Sequence, residues 1–347
     1  MALSRRAFLA GVAALPLLSL STHANSDRSL HFLNSSNSVD RDALRNFRKA
    51  TDIDVIMDIY NDEAQFIGEF LSGDPRYDAV LASDDSISHL VQTGLLDPLN
   101  RSLVPNIRQI DSHFLTAEFD PNRNFSLPYI WGTLGIGYRK SAIEKKPDSW
   151  KFLLDSNKYF NRIALLSEKL AVLQIAQKYL GYSSNSTDKE AIDKAEQLLV
   201  RQKPYIKNFS NNTKNLLLSG KVDVAMLWSN DFLKIQNKST DIGYVVPKEG
   251  TLIWQKSLCI PKHAADPVAA HKLIDFLLGK ETAARLAKKY HYATPNKDAL
   301  ELMDKNYLDN PALFVPSAIL KKSESRGFPG GAHSQLYKKA WERIMGN

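Results

Sequence analysis

The feature that most constrains this chain is the alternation of strand-like and helix-like segments over residues 30–92. Leu30-His31-Phe32-Leu33 reads as a first strand, closed by the polar run Asn34-Ser35-Ser36-Asn37-Ser38. Asp42 to Ala50 reads as a helix with Leu44 and Phe47 turned inward, and Val55 to Tyr60 as a second strand. Glu63 to Leu71 is expected to be helical and to stop at Ser72-Gly73-Asp74-Pro75. Tyr77 to Ala82 gives a third strand, and Ser86 to Gln92 a helix ended by Gly94. A β-α-β-α-β order implies a mainly parallel sheet covered by helices. Ligands of such sheets bind beyond the carboxyl ends of the strands, where the topology switches. Here those ends are Asn34 to Ser38 and Ser83-Asp84-Asp85. Asp84 and Asp85 also stand at a helix start, where acids act as caps, so both roles are open for them.

A second α/β unit follows. Thr133 to Tyr138 is β-like, and a strand is expected near Arg162 to Leu166. Helices are expected from Lys169 to Leu180, from Lys189 to Arg201 and over Asn211 to Leu218, then a strand from Val222 to Trp228. Two β-rich runs, Ile242 to Val246 and Leu252 to Ile260, flank the turn Pro247-Lys248-Glu249-Gly250. Asp266-Pro267 opens a helix through Leu278, another covers Thr282 to Lys289, and the chain ends in a helical tail. No internal repeat or low-complexity tract is evident. The large aromatic in the second β-rich run, Trp254, is either core packing or one wall of a ligand site, since aromatic residues dominate both settings.

The first 24 residues read as an export signal rather than part of the fold. Arg5-Arg6 precede an apolar stretch, Phe8 to Leu20, too short to span a bilayer, and Thr22-His23-Ala24 offers small residues for a signal peptidase. Ser4-Arg5-Arg6-Ala7-Phe8-Leu9 also resembles the twin-arginine motif, with an ordinary Sec signal as the alternative. Both deliver the protein outside the cytoplasmic membrane, and a soluble periplasmic protein is expected. The remaining chain is long enough for two domains with substantial cores. A net charge of +7 over 347 residues is spread without a dense basic tract, which argues for a solvated surface and against a nucleic-acid site. The single cysteine, Cys259, between Leu258 and Ile260, reads as a buried apolar thiol, so disulfides are not expected to hold the fold. No Gly-x-Ser-x-Gly elbow, phosphate loop or dinucleotide fingerprint is present, and the histidines lack zinc-ligand spacing. An enzyme is therefore not expected, nor a metal or cofactor.

Five short motifs occur in order: Phe119-Asp120-Pro121-Asn122, Pro128-Tyr129-Ile130-Trp131-Gly132, Leu180-Gly181-Tyr182-Ser183, Pro247-Lys248-Glu249-Gly250 and Thr294-Pro295-Asn296. Through them the chain resembles, over nearly all of residues 29–347, the extracytoplasmic polyamine-binding proteins that serve ABC importers as solute receptors. The resemblance implies a type II periplasmic-binding-protein fold: two α/β lobes joined by a hinge, with the ligand cleft between them. It implies lobe 1 from residues 25–135 plus 254–303, and lobe 2 from residues 136–253 plus 304–347. It further implies a monomer that captures a small amine-bearing ligand, a polyamine such as putrescine or spermidine, and delivers it to an inner-membrane ABC permease. The alternatives are a carboxylate-bearing amine or another non-polyamine solute, and sensing rather than import.

A polyamine is a flexible multiple cation, held by carboxylates at its amines and aromatic faces along its methylenes. By the resemblance, Trp228, Trp254 and Tyr292 are the ligand-facing aromatics, Ser83 helps to hold one amine, and Glu168 stands where the family has an aspartate. The departures are as informative. The family's aromatic turn after the first strand reads Ser35-Ser36-Asn37-Ser38 here, so Ser36 takes a ligand-facing place. Asp85 replaces a tyrosine, Ala171 a second acid, Lys256 a key aspartate, and Arg326 a glutamine. Two unit charges about 4 Å apart repel by ~4 kcal/mol at an effective dielectric of ~20. An ammonium beside Lys256 is thus opposed unless that side chain turns away. Acids near one lobe with Lys256 and Arg326 near the other would suit an amine that also bears a carboxylate.

Overall fold

The computed structural model describes residues 28–35, 38–60, 62–71, 76–327 and 331–346. The expected export signal at residues 1–24, the helix stop at residues 72–75 and Ser36 lie outside the described residues.

Strand β1 (Arg28–Ser35) pairs in parallel with β2 (Ile53–Tyr60) and with β3 (Ala79–Ser83). The helices between them, Arg41–Thr51 and Glu63–Leu71, are the crossovers that parallel pairing requires. Ala43, Leu44 and Phe47 face the core from the first of these. Asp40 caps it, its side chain accepting the Asp42 N–H at 3.1 Å, and Asp52 closes it in the left-handed region. The helix Asp84–Gln92 follows β3, and Gly94, at φ 68°, ends it as expected.

Strand β4 (Ser126–Arg139) departs from the sequence reading. It begins seven residues before Thr133, so Pro128-Tyr129-Ile130-Trp131-Gly132 is strand and not approach loop. Proline removes a ladder donor, and the strand tolerates it here because the pairing register shifts between Pro128 and Ile130. At about 3.3 Å per residue, β4 is roughly 45 Å long and serves two halves of the molecule. Its first half pairs antiparallel with β9 (Leu252–Cys259), from Ser126↔Cys259 to Thr133↔Ile253. Its second half pairs with β7 (Val224–Trp228) and with β8 (Ile242–Val245). Strand β5 (Ile163–Leu165) joins β7 to β6 (Ile206–Phe209), a short, half-exposed strand that the hydrophobic pattern does not reveal. The order is β2-β1-β3-β9-β4-β7-β5-β6, with β8 on β4 and β10 (Glu324–Ser325) on β9.

The largest core crosses this division, joining Leu30, Phe47 and Ile274 with Ala225, Leu227 and Tyr244, and a further core lies at each end. Leu33, Phe66, Ile87 and Cys259 pack beside the β1–β3 end. Leu134, Ile136, Trp150, Leu165, Val172, Leu252 and Tyr337 form a core around the β4–β7 end. The chain is therefore two α/β lobes meeting where β4 and β9 pass between them. Gly132 is required at that junction: a Cβ there would lie 2.6 Å from Trp254 Nε1 and 2.5 Å from Ser229 Oγ. Strand β10 is tied to both sides. Glu324 accepts from Lys178 Nζ at 2.9 Å and from the Ser184 N–H at 2.6 Å, while Ser325 Oγ accepts from Gln255 Nε2 at 2.8 Å. The final helix, Gly331–Met345, packs on the helices Lys169–Tyr179 and Lys189–Gln202, where the Tyr337 hydroxyl lies 2.8 Å from Gln177 Oε1.

Candidate functional site

The two lobes bring their site residues to the ends of strands. In the first, β3 ends at Ser83, which caps the next helix: its Oγ accepts the Ser86 N–H at 3.3 Å. The two acids that follow it stand in the first turn of that helix. Asp85 is exposed at the first turn. Asp84 turns inward and is only 3% exposed, and neither of its oxygens has a hydrogen-bond partner among the described residues. Burial raises its carboxyl to about 7, although the Arg123 charge and the Gln255 backbone N–H pull the other way.

Strand β9 runs beside β3, with Lys256 opposite Ser83. Alternate residues share a face of a strand, so Trp254 and Lys256 emerge together. The Trp254 ring lies over Gly132 and meets Tyr292 edge to face, with centroids 6.2 Å apart and planes at 84°. Both rings are half-buried, and Trp254 Nε1 has no hydrogen-bond partner among the described residues. Burial raises the Tyr292 phenol, against a hydrogen bond with Ser38. Lys256 Nζ donates to Ser35 Oγ at the end of β1, and Ser35 Oγ lies 3.0 Å from Ser38 Oγ. Lys256 therefore stays in the cleft, over the carboxyl end of the first strand.

The second lobe contributes Trp228 at the end of β7 and Glu168 at the start of the helix Lys169–Tyr179. Trp228 Nε1 donates to Glu168 Oε1 at 3.1 Å, and Arg326 Nη1 lies 3.2 Å from Glu168 Oε2. The Arg326 guanidinium also stands 6.0 Å from the Trp228 ring centre, within cation–π range. Ala171, one turn along the helix from Glu168, is fully buried. A cavity of ≈ 220 Å³ joins the lobes' contributions, walled by Ser83, Asp84, Asp85, Trp254, Gln255, Lys256 and Arg326. A larger hollow of ≈ 570 Å³ lies elsewhere, over Glu281, Arg285 and Lys289. There Arg285 and Lys289 pair with Asp40 at 2.7 Å, which makes it a solvated recess of one lobe rather than a cleft.

The structure thus gathers Ser83, Asp85, Trp254, Lys256 and Arg326 around one cavity, with Tyr292 against Trp254 and the Glu168–Trp228 pair reached through Arg326. The sequence leaves Asp84 open between the cleft and a capping role, because nothing in its neighbours separates a buried acid from a capping one; in the structure it lines the cavity. Sequence reasoning missed Ser35, the partner of Lys256, which lies beyond the reach of local pattern.

The sequence model of bacterial extracellular solute-binding proteins matches residues 42–315. A spermidine/putrescine-binding periplasmic protein of Salmonella typhimurium is 31% identical over 344 residues, 98% of each chain. A putrescine-binding periplasmic protein of Escherichia coli is 26% identical, over 95% of each chain. The crystal structure of the substrate-binding protein of a spermidine/putrescine ABC transporter from Streptococcus pneumoniae superposes with a TM-score of 0.87. It is 27% identical, over 92% of this chain and 98% of that one.

Proposed function

As this chain belongs to the bacterial extracellular solute-binding proteins, receptors rather than enzymes, we propose that it captures a small amine-bearing solute in its interlobe cleft. The solute class is that of spermidine and putrescine, and the receptor hands it, in the periplasm, to a permease of an ABC importer. We assign lobe 1 to residues 25–135 plus 254–303 and lobe 2 to residues 136–253 plus 304–347. The Tyr307 hydroxyl donates to the Tyr292 carbonyl across these groups, and Asn310 Nδ2 donates to Gln236 Oε1 within the second. The observation that carries the ligand assignment is the convergence of Trp254, Tyr292 and Trp228 with Asp84, Asp85 and Glu168 at one cleft. Aromatic faces take methylenes and cationic edges, and carboxylates take ammonium groups.

A second reading has its own support. Lys256 and Arg326 share the cavity with the acids, and this favours a solute that carries a carboxylate at one end. In either case the ligand drives closure through its greater affinity for the closed form. A thermal-shift titration of refolded, ligand-stripped protein separates the two. Putrescine, spermidine and agmatine are compared with γ-aminobutyrate and amino acids. A ligand at about 100 times its dissociation constant stabilises by ~2.7 kcal/mol, a readily visible shift. Shifts with diamines or triamines support the polyamine reading; shifts only with carboxylate-bearing amines overturn it in favour of the second.

A further inference from the structure

We propose that Asp84 receives the cationic group of the solute, so that the acid anchoring this cleft comes from the helix after β3 and not from Glu168. This rests on the amine reading above and names the group that performs it. Asp84 forms part of the cavity wall together with Ser83, Trp254, Lys256 and Arg326. It is 3% exposed, and both oxygens lack a hydrogen-bond partner among the described residues. Buried carboxylates are ordinarily paired, so an orphaned one in the wall of a half-open cavity is an acceptor awaiting a donor. The other acids are less suited. Glu168 already holds Arg326 and the Trp228 N–H, and Asp85 faces solvent.

The groups around Asp84 come from every element packed against it. Arg123, from the loop before β4, donates to the Phe114 carbonyl, Ser126 Oγ and Gln255 Oε1, and Asp120 flanks it. It draws on Asp84 electrostatically without bonding it. From β9 come the Gln255 N–H and the Lys256 ammonium; Arg326 follows β10, and Asp85 shares the helix. Burial outweighs the Arg123 charge and the Gln255 N–H and raises the Asp84 carboxyl to about 7. In the free receptor at pH 6 the group carries a proton. An arriving ammonium favours the carboxylate, and the proton leaves to solvent: R–NH3+ and Asp84–COOH become the R–NH3+···carboxylate pair and H+.

The test is isothermal titration calorimetry with putrescine at pH 6 and pH 8, each in two buffers of contrasting ionisation enthalpy. Wild-type protein is expected to release close to one proton per putrescine at pH 6 and little at pH 8. Its affinity should weaken by roughly tenfold for each pH unit well below 7. Asp84→Asn should abolish the release and flatten the profile. Putrescine binding without proton release, or release unchanged in Asp84→Asn, overturns the assignment and leaves the amine reading standing. If neither putrescine nor spermidine binds wild-type protein at all, the amine reading falls and this proposal with it. Should the variant fail to fold, the wild-type proton count alone decides.

Discussion

Arg326 closes on Glu168 at 3.2 Å, and by doing so it occupies the carboxylate that stands where the resemblance places a polyamine-binding acid. The pair is partly exposed, with side chains 22% and 28% accessible, so its strength is that of a screened ion pair and not of a buried one. A ligand ammonium reaching Glu168 must share it with, or displace, this built-in cation. Arg326→Gln is therefore expected to tighten putrescine binding by about tenfold, or ~1.4 kcal/mol. Calorimetric titration of both proteins measures it; equal or weaker binding in the variant would show that Arg326 itself holds the ligand.

Lys256 is held to Ser35 within the same cavity. Lys256→Ala removes a like charge from the path of a diamine and an opposite charge from that of an amino carboxylate. Putrescine affinity should rise by about three- to tenfold, and γ-aminobutyrate affinity should fall. Parallel titrations with the two ligands check the sign of each change. Movement of both in one direction would mean that the substitution acts through the packing of β9.

Trp254 lies on a glycine and meets Tyr292 at its edge. Its half-exposed face is the one offered to the ligand, so Trp254→Ala should weaken ligand binding by more than ~1 kcal/mol, over fivefold. Trp254→Phe, which keeps an aromatic face, should recover most of that loss. A large drop in melting temperature with unchanged affinity would assign the ring to the core.

Asp84 makes a prediction about stability as well. Its carboxyl is raised in the folded protein, to about 7, above its value of 3.8 in the unfolded chain. For an acid shifted upward, the unfolded state loses its proton first, so stability falls as pH rises from about 4 to about 7 and stays low above. The opposition to folding at pH 8 is on the order of 4 kcal/mol. Ligand-free Asp84→Asn should thus melt several degrees higher than wild type at pH 8 and near the wild-type temperature at pH 4. Denaturant titration at both pH values checks it, and an equal effect at both would place the cause in shape rather than charge.

Much of the fold was legible because it is written in local pattern. The helix Glu63–Leu71 and strands β2, β5, β7 and β9 follow runs of apolar residues bounded by glycine, proline or polar caps. Where the sequence misled, longer-range physics had intervened. The β-like run reads as starting at Thr133, yet pairing with β9 extends the strand back past Pro128 through a shift of register. Strands β6 and β10 are too short and too exposed to leave a pattern, and only their neighbours make them strands. In the site, the aromatics and Glu168 were found through resemblance. The Glu168–Arg326 and Lys256–Ser35 contacts join residues 158 and 221 positions apart, a spacing that no window along the chain can see.

The long strand β4 has a bearing on how the molecule comes apart. One ladder of backbone hydrogen bonds serves both lobes, with β9 along its first half and β7 and β8 along its second. Unravelling either lobe strips the other of a strand partner and exposes an open sheet edge. The two lobes should therefore melt in a single cooperative transition, and neither is suited to be expressed alone as a soluble fragment.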